Sequence, residues 1–216
     1  MADNRITKST KFYYRNWHWP LYKGAKSFLG FNTSQLENIA EALLSLEESY
    51  IVFKPIIHQK KQVNKLLSAL IRNFKQKTMR NTTLDYSEIL HFWAREVSNN
   101  AQRTCHYHLI ILIPKRAFVD GEPIAKMVRE YLEQVIQESD KFSAMEVTYP
   151  EDKENSDDFF YPEGSYINPR EINSLLFAFT RLSYFCKAYS KDNAPGRNYG
   201  MSLRRPKTSD DNLKAA

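Results

Sequence analysis

The sequence is short of cysteine and glycine and has no long apolar run, and each shortage removes a class of protein. Only two of its 216 residues are cysteine, Cys105 and Cys186. They lie far apart, so they form neither a disulfide framework nor a CxxC pair. Six glycines exclude collagen-like and glycine-rich scaffolds. The longest apolar run, Leu109-Ile110-Ile111-Leu112-Ile113, is strand-sized and falls far short of the roughly 20 residues that span a bilayer. The first residues, Met1-Ala2-Asp3-Asn4-Arg5, lack the apolar centre of a secretion signal. The expectation is a soluble protein of a reducing compartment, with no membrane partner. What is present is a 42% hydrophobic, 13% aromatic chain, rich enough to build a sizeable core, and its length suits one domain with arms.

Acidic residues are missing where basic ones gather. Residues 49–84 contain none, while Lys54, Lys60, Lys61, Lys65, Arg72, Lys75, Lys77 and Arg80 are all basic. The N-terminal stretch mixes Lys8, Lys11 and Arg15 with Phe12, Tyr13, Tyr14, Trp17 and Trp19, and a third basic patch holds Arg197, Arg204, Arg205 and Lys207. An acidic stretch, residues 151–158, stands against them, and the formal net charge is +6. Basic blocks interleaved with aromatics suit a polyanion whose bases stack; a solvated basic surface is the plainer alternative. The residues expected to contact DNA are Lys54, Lys60, Lys61, Arg103, Arg197, Arg204 and Arg205.

Periodicity organises the chain. Residues 1–31 read as an irregular basic and aromatic arm, 32–205 as the folded domain and 206–216 as a flexible tail. Ser34 with Glu37 forms a capping-box pattern, and Leu36, Ile39, Ala40, Leu43 and Leu44 follow at helical spacing. Residues 50–57 are β-branched and aromatic and read as a strand that Pro55 keeps away from a fully paired centre. Val63, Leu66, Leu67, Leu70, Ile71 and Phe74 predict a second helix. Residues 89–97 and 106–113 read as strands of an antiparallel hairpin joined by the polar loop 98–103. A third helix opens at Pro123, residues 144–149 form a strand, 151–164 an acidic loop, and a fourth helix runs from Arg170 to about Lys191. Residues 198–203 add an edge strand. The fold class is α+β, with a central antiparallel sheet of about five strands and flanking helices.

His106-Tyr107-His108 is the sharpest chemical signal. On a strand, residues two apart project from one face, so both imidazoles can reach a single ion while Tyr107 points away. Imidazole suits Mn, Zn and Fe, and two ligands leave positions open for substrate oxygens. An even register, with paired residue numbers summing to about 202, sets Glu96 opposite His106; an odd register removes it from the site. Two histidines that merely pack or face solvent are the alternative. The candidate nucleophile is Tyr184 in Ser183-Tyr184-Phe185-Cys186-Lys187. Tyr184 and Lys187 are neighbours at helical spacing. The face they share with Asn173, Phe177, Thr180 and Lys191 is largely polar, and Ile172, Leu175, Leu176, Phe179, Leu182 and Cys186 supply the buried side. An ammonium beside a phenol favours the phenolate. Tyr189 is turned well away. A boundary tyrosine with a wet hydroxyl is the plainer reading of any one tyrosine.

These residues carry a resemblance. Trp93-Ala94-Arg95-Glu96, His106-Tyr107-His108-Leu109-Ile110, Tyr184-Phe185-Cys186-Lys187 and Tyr199-Gly200-Met201-Ser202 resemble, in order, the motifs of the inovirus-type replication proteins of filamentous phages and prophages. That family belongs to the HUH endonuclease superfamily, and the similarity covers roughly residues 50–205. It implies a sheet presenting the histidine pair with the tyrosine helix alongside. It also implies nicking and joining of single-stranded DNA through a 5′-phosphotyrosine, as a rolling-circle initiator of a phage or mobile element. His106, His108 and Glu96 would then hold Mg²⁺ or Mn²⁺, Tyr184 would be the nucleophile, and Lys187 would match the lysine of the Y-x-x-K motif. The implied partners are single-stranded DNA or an origin hairpin and host replication proteins, in the cytoplasm of a bacterial host.

The chemistry is coherent without the family. A divalent ion held by two histidines and a carboxylate binds and orients the scissile phosphate. A tyrosine nucleophile conserves the bond energy in a covalent ester, and the released 3′-hydroxyl can prime a polymerase. Two other classes use the same residues. A DNA-binding module on this scaffold would bind without metal or Tyr184, and a phosphoesterase acting through activated water would leave no protein–DNA adduct.

Overall fold

Apolar on both faces, the run from Leu109 to Ile113 takes an interior place in a sheet, and the rest of the chain is layered on it. The computed structural model describes residues 6–22, 30–53, 55–59, 64–97, 105–117, 124–148, 165–187 and 199–202. In chain order the elements are β1 (Ile6–Thr7), β2 (Lys11–Tyr14), β3 (Trp17–Pro20), β4 (Phe31–Asn32), α1 (Thr33–Leu44), β5 (Tyr50–Phe53), β6 (Ile56–Gln59) and α2 (Asn64–Asn81). Then follow β7 (Leu90–Val97), β8 (Cys105–Pro114), α3 (Ile124–Gln137), β9 (Met145–Thr148), β10 (Ser165–Ile167), α4 (Ile172–Ser183) and β11 (Tyr199–Met201). Seven strands fill five positions of one antiparallel sheet: β11, β7, β8, then β5 and β6 end to end, then β10 and β9 on the far edge. The fold is α+β, with four helices flanking the sheet.

The period of two sorts every side chain. Leu90, Phe92, Ala94, Ile110 and Leu112 meet α1 and α4 on one face, and Trp93, Tyr107, Leu109, Ile111 and Ile113 meet α2 and α3 on the other. Glu96 pairs with His106, the even register. Pro55 is not at an edge. Phe53 faces Ile111 and Ile56 faces His108 with the offset unchanged, so β5 and β6 are one strand interrupted beside β8. The Leu109 N–H donates to the Pro55 carbonyl at 3.0 Å, so the proline costs the ladder one returning donor.

Four further expectations need correction. The helix α1 is capped by Asn32, whose side chain accepts from the Gln35 N–H at 3.1 Å, rather than by Ser34. The N-terminal stretch is not irregular: β2 and β3 form a hairpin turning at Arg15 and Asn16, both at positive φ. Its inner face packs on α4, with Trp19 0% exposed and its ring 4.7 Å from that of Phe179. Tyr14 and Arg15 both reach Glu41 of α1. Finally, α4 stops at Ser183, not near Lys191. A 3-10 turn over Tyr184–Cys186 follows, and Lys187 is extended and bridges to Phe31. The buried Ser183 hydroxyl bonds back to the Thr180 carbonyl and accepts the Tyr22 N–H, tying the last turn to the hairpin. Ile172, expected in the core, is exposed. The loops 98–103 and 151–164, Tyr189, Lys191 and the tail 206–216 lie outside the described residues.

Below α2 lies an uncomfortable pair of bases. Lys75 is 2% exposed, and its Nζ lies 3.5 Å from the Tyr86 carbonyl and 4.6 Å from that ring's centre. Burial pushes its ammonium down to about 8, and burial together with the Lys75 charge pushes His91 down to about 3. The unfolded chain therefore holds more protons than the folded one between about pH 8 and 10.5, so this lysine makes stability rise with pH there. Below that window the folded state bears the full penalty. Lys75→Met should stabilise the protein at pH 7 by on the order of 3 kcal/mol and flatten the rise between pH 8 and 10. Urea unfolding at a series of pH values measures both effects. The His91 proton works the same way lower down, so stability should also fall as pH drops from about 6.5 towards 3.

Candidate metal and nucleophile site

Three neighbouring side chains on the α1/α4 face of the sheet converge at one end of β8. His106 and His108 project from alternate positions of that strand, and Glu96 comes from the paired position on β7. The His106 and His108 Nε2 atoms are 3.2 Å apart, and Glu96 Oε2 lies 3.1 Å from His108 Nε2 and 3.6 Å from His106 Nε2. Donors on adjacent corners of a coordination shell with bonds near 2.1 Å lie about 3.0–3.4 Å apart. The three atoms thus outline one face of such a shell, and the triad is a candidate metal site.

Burial alone would raise the Glu96 carboxyl. Hydrogen bonds to His106 and His108, with the positive charges of His108 and Lys187, outweigh it and hold the group well below the usual carboxylate range. Glu96 is therefore an anion at neutral pH and a ready ligand. Lys187 is only 1% exposed, and its Nζ lies 3.7 Å from Glu96 Oε1 and 3.2 Å from the centre of the Tyr184 ring. Tyr184 and Lys187 do meet, but through the 3-10 turn closed by the Lys187 N–H on the Tyr184 carbonyl, not along one polar helical face. Thr180 of that expected face sits under the hairpin, bonded to the Leu176 and Pro20 carbonyls.

The Tyr184 ring stands edge-on to His108 at 5.9 Å between centroids, beside Phe185. Its other wall is Tyr22, at 5.3 Å, which follows directly from the N-terminal hairpin. Sequence reasoning missed Tyr22 because an aperiodic stretch gives no hint of which residue returns to the site. It also missed His58. That residue faces His106 across β6 and β8, with ring centroids 5.9 Å apart, and its Nε2 lies 3.0 Å from Thr148 Oγ1. Continuing the period of two past Ile56 would have found it. Glu96, His106, His58 and Glu146 form one row across four adjacent strands. The expected DNA contacts Lys54, Lys60, Lys61, Arg103, Arg197, Arg204 and Arg205 all lie outside the described residues.

Fold and site together define an antiparallel-sheet α+β protein with a two-histidine, one-carboxylate cluster beside a tyrosine and a buried lysine. Residues 57–202 match the YagK/YfjJ C-terminal domain family, and the chain belongs to it. No curated protein and no solved structure matches the chain. Among the described residues no helix is long and apolar enough to cross a membrane.

The triad makes a direct expectation. Mn²⁺ at about 100 times its dissociation constant should stabilise the protein by about 2.7 kcal/mol, visible as a rise in Tm that EDTA reverses. His106→Ala with His108→Ala should remove both the shift and the calorimetric binding signal while the metal-free protein stays folded. Unchanged Mn²⁺ affinity in that double variant would mean the donors lie elsewhere.

Proposed function

We propose that this protein nicks and rejoins single-stranded DNA through a covalent 5′-phosphotyrosine, with Tyr184 as nucleophile and a divalent metal at Glu96, His106 and His108. The observation that carries the reading is the packing of the Tyr184 ring against the ligand His108, with Lys187 bridging Tyr184 and Glu96. A triad that only bound metal would not need a tyrosine and a buried cation on its open side. The similarity to inovirus-type replication proteins extends the proposal to a rolling-circle initiator of a phage or mobile element. It would then act in the bacterial cytoplasm on single-stranded DNA or an origin hairpin, with host replication proteins as partners.

When bound, a divalent ion supplies Lewis-acid polarisation and orientation of the scissile phosphate. Two imidazoles favour Mn²⁺ over Mg²⁺, which takes oxygen ligands by preference. The Tyr184 hydroxyl loses its proton and its oxygen attacks phosphorus. The new Tyr–O–P ester forms as the P–O3′ bond breaks, and the leaving O3′ takes up a proton. A free 3′-hydroxyl and a protein-linked 5′ end result. Attack by that 3′-hydroxyl on the phosphotyrosine reverses the step and rejoins the strand. The role assigned to Lys187 is to stabilise either the phenolate or the charge building on phosphate, which its charge beside Tyr184 and Glu96 supports.

Tyr184→Phe should abolish the adduct and leave DNA affinity intact, because only a hydroxyl is lost. Lys187→Met, close in length, should lower kcat for nicking by ten-fold or more with little change in KM, the pattern of a group acting in the transition state. Mass spectrometry of the trapped peptide decides the nucleophile: a nucleotide on Tyr189 or elsewhere refutes Tyr184. Cleavage without any adduct would mark a phosphoesterase using water. Metal-independent DNA binding with no cleavage would mark a non-catalytic DNA-binding module.

A further inference from the structure

The same end of the sheet carries a second polar surface on its opposite face. Tyr107, between the two histidines, points through to the α2 side, where its hydroxyl donates to Asn64 Oδ1 at 2.8 Å. Arg95, next to Glu96, does likewise: it is 2% exposed, and its Nη1 lies 3.5 Å from the same oxygen. Consecutive residues of β7 and β8 thus serve the triad on one face and Asn64 on the other, about one sheet layer away. Beside Asn64 opens a cleft of about 460 Å³ lined by Asn64, Lys65, Ser68, Ala69, Arg72 and Trp93.

The chemistry of this cleft is one-sided. Among the described residues its polar lining is Lys65, Arg72, Ser68 and Asn64, with no carboxylate, and the buried Arg95 guanidinium adds positive charge behind it. The whole of α2 carries five basic residues and no acidic one. Lys75 is buried and Lys77 is paired with Glu138 of the turn after α3, so Lys65 and Arg72 are the charges this end of the helix presents to solvent. The floor is the Trp93 indole, packed edge-on against Tyr107. Gly200 of β11 passes so close to that indole that any Cβ there would collide with it, which fixes the ring in place. A donor-rich, acid-free cleft with an apolar floor fits an anion bearing a sugar. Its volume is that of a small-molecule pocket, so it accepts a nucleotide unit of a single strand and not a duplex.

We propose that this cleft binds the sugar–phosphate backbone of single-stranded DNA that continues past the scissile phosphate, around the end of the sheet from the metal triad. The inference rests on the nicking reading above, and it adds a strand-holding subsite that contains no reacting group. Lys65 and Arg72 take phosphates, and Trp93 supports a sugar.

The test uses the full chain and a fluorescent oligo-dT, with anisotropy followed across a salt series. Removing Lys65 and Arg72 together (Lys65→Ala, Arg72→Ala) should lower affinity at least ten-fold at low salt. It should also shrink the slope of log K against log salt by about 1.4, from roughly 0.7 per phosphate contact on a single strand. Both side chains are exposed, so the Tm should not move. A control removing equal charge elsewhere, Lys115→Ala with Lys141→Ala, should keep the wild-type slope. An unchanged slope in the cleft variant, with wild-type nicking preserved, overturns the cleft alone. Wild-type protein that binds no oligonucleotide overturns the cleft and the nicking reading together. A free deoxynucleoside monophosphate that displaces oligo-dT at equal concentration marks a mononucleotide site and overturns the strand assignment.

Discussion

A slip of one residue between β7 and β8 would carry Glu96 to the α2 face and put Arg95 or Val97 beside the histidines. The even register is therefore the constraint on which the site depends, since the period of two makes any slip move a whole set of side chains at once. What holds it is the core. Leu90, Phe92 and Ala94 precede Glu96 on the α1/α4 face, and Ile110 and Leu112 follow His108 there. Trp93 and Tyr107 are locked on the other side. Burying a charged Arg95 among α1 and α4 in the slipped register would cost several kcal/mol without a partner. Positioning of the Glu96, His106 and His108 triad is thus a by-product of ordinary hydrophobic packing.

Charge balance within the site follows from that placement. One carboxylate is surrounded by two imidazoles and an ammonium, in a setting where an isolated charge would be expensive. Lys187 stays buried because it has two sources of negative potential, Glu96 on one side and the face of the Tyr184 ring on the other. Lys75 has a carbonyl and a ring but only a long hydrogen bond, and its pKa falls accordingly. Two buried lysines in one domain therefore differ in role: one completes an electrostatic cluster, the other is a standing cost to stability.

The parts of this arrangement that were legible in the sequence are those governed by short periods. The same-face histidine pair and the β7–β8 hairpin follow from alternation along a strand and a short connection, while the choice of the even register, which brings Glu96 to His106, is made by the packing. The parts that were not legible depend on contacts distant in sequence. Nothing in residues 11–20 alternates cleanly enough to announce a hairpin, because the aromatics Tyr13 and Trp17 remain exposed while Phe12 and Trp19 are buried. Helical spacing continues past Ser183, yet the backbone turns extended at Lys187, where it bridges to Phe31, a partner remote in sequence. Likewise Pro55 reads as an edge residue from its chemistry alone, and only the unbroken register against β8 reveals an interior strand.

The family match begins at Ile57, in the middle of β6, whereas the layer that covers the metal face is built largely from residues before it. The hairpin, α1 and β4 complete the core on that side. Tyr22 walls Tyr184, Phe31 bridges to Lys187, and Glu41 holds the hairpin down. The metal donors, by contrast, lie wholly within the matched span. Tyr184 and Lys187 lie within it too, yet the Tyr184 ring rests between His108 and Phe185 of the matched span and Tyr22, which precedes it. The surroundings of Tyr184 therefore depend on both the matched span and the part of the sequence that the family match leaves out.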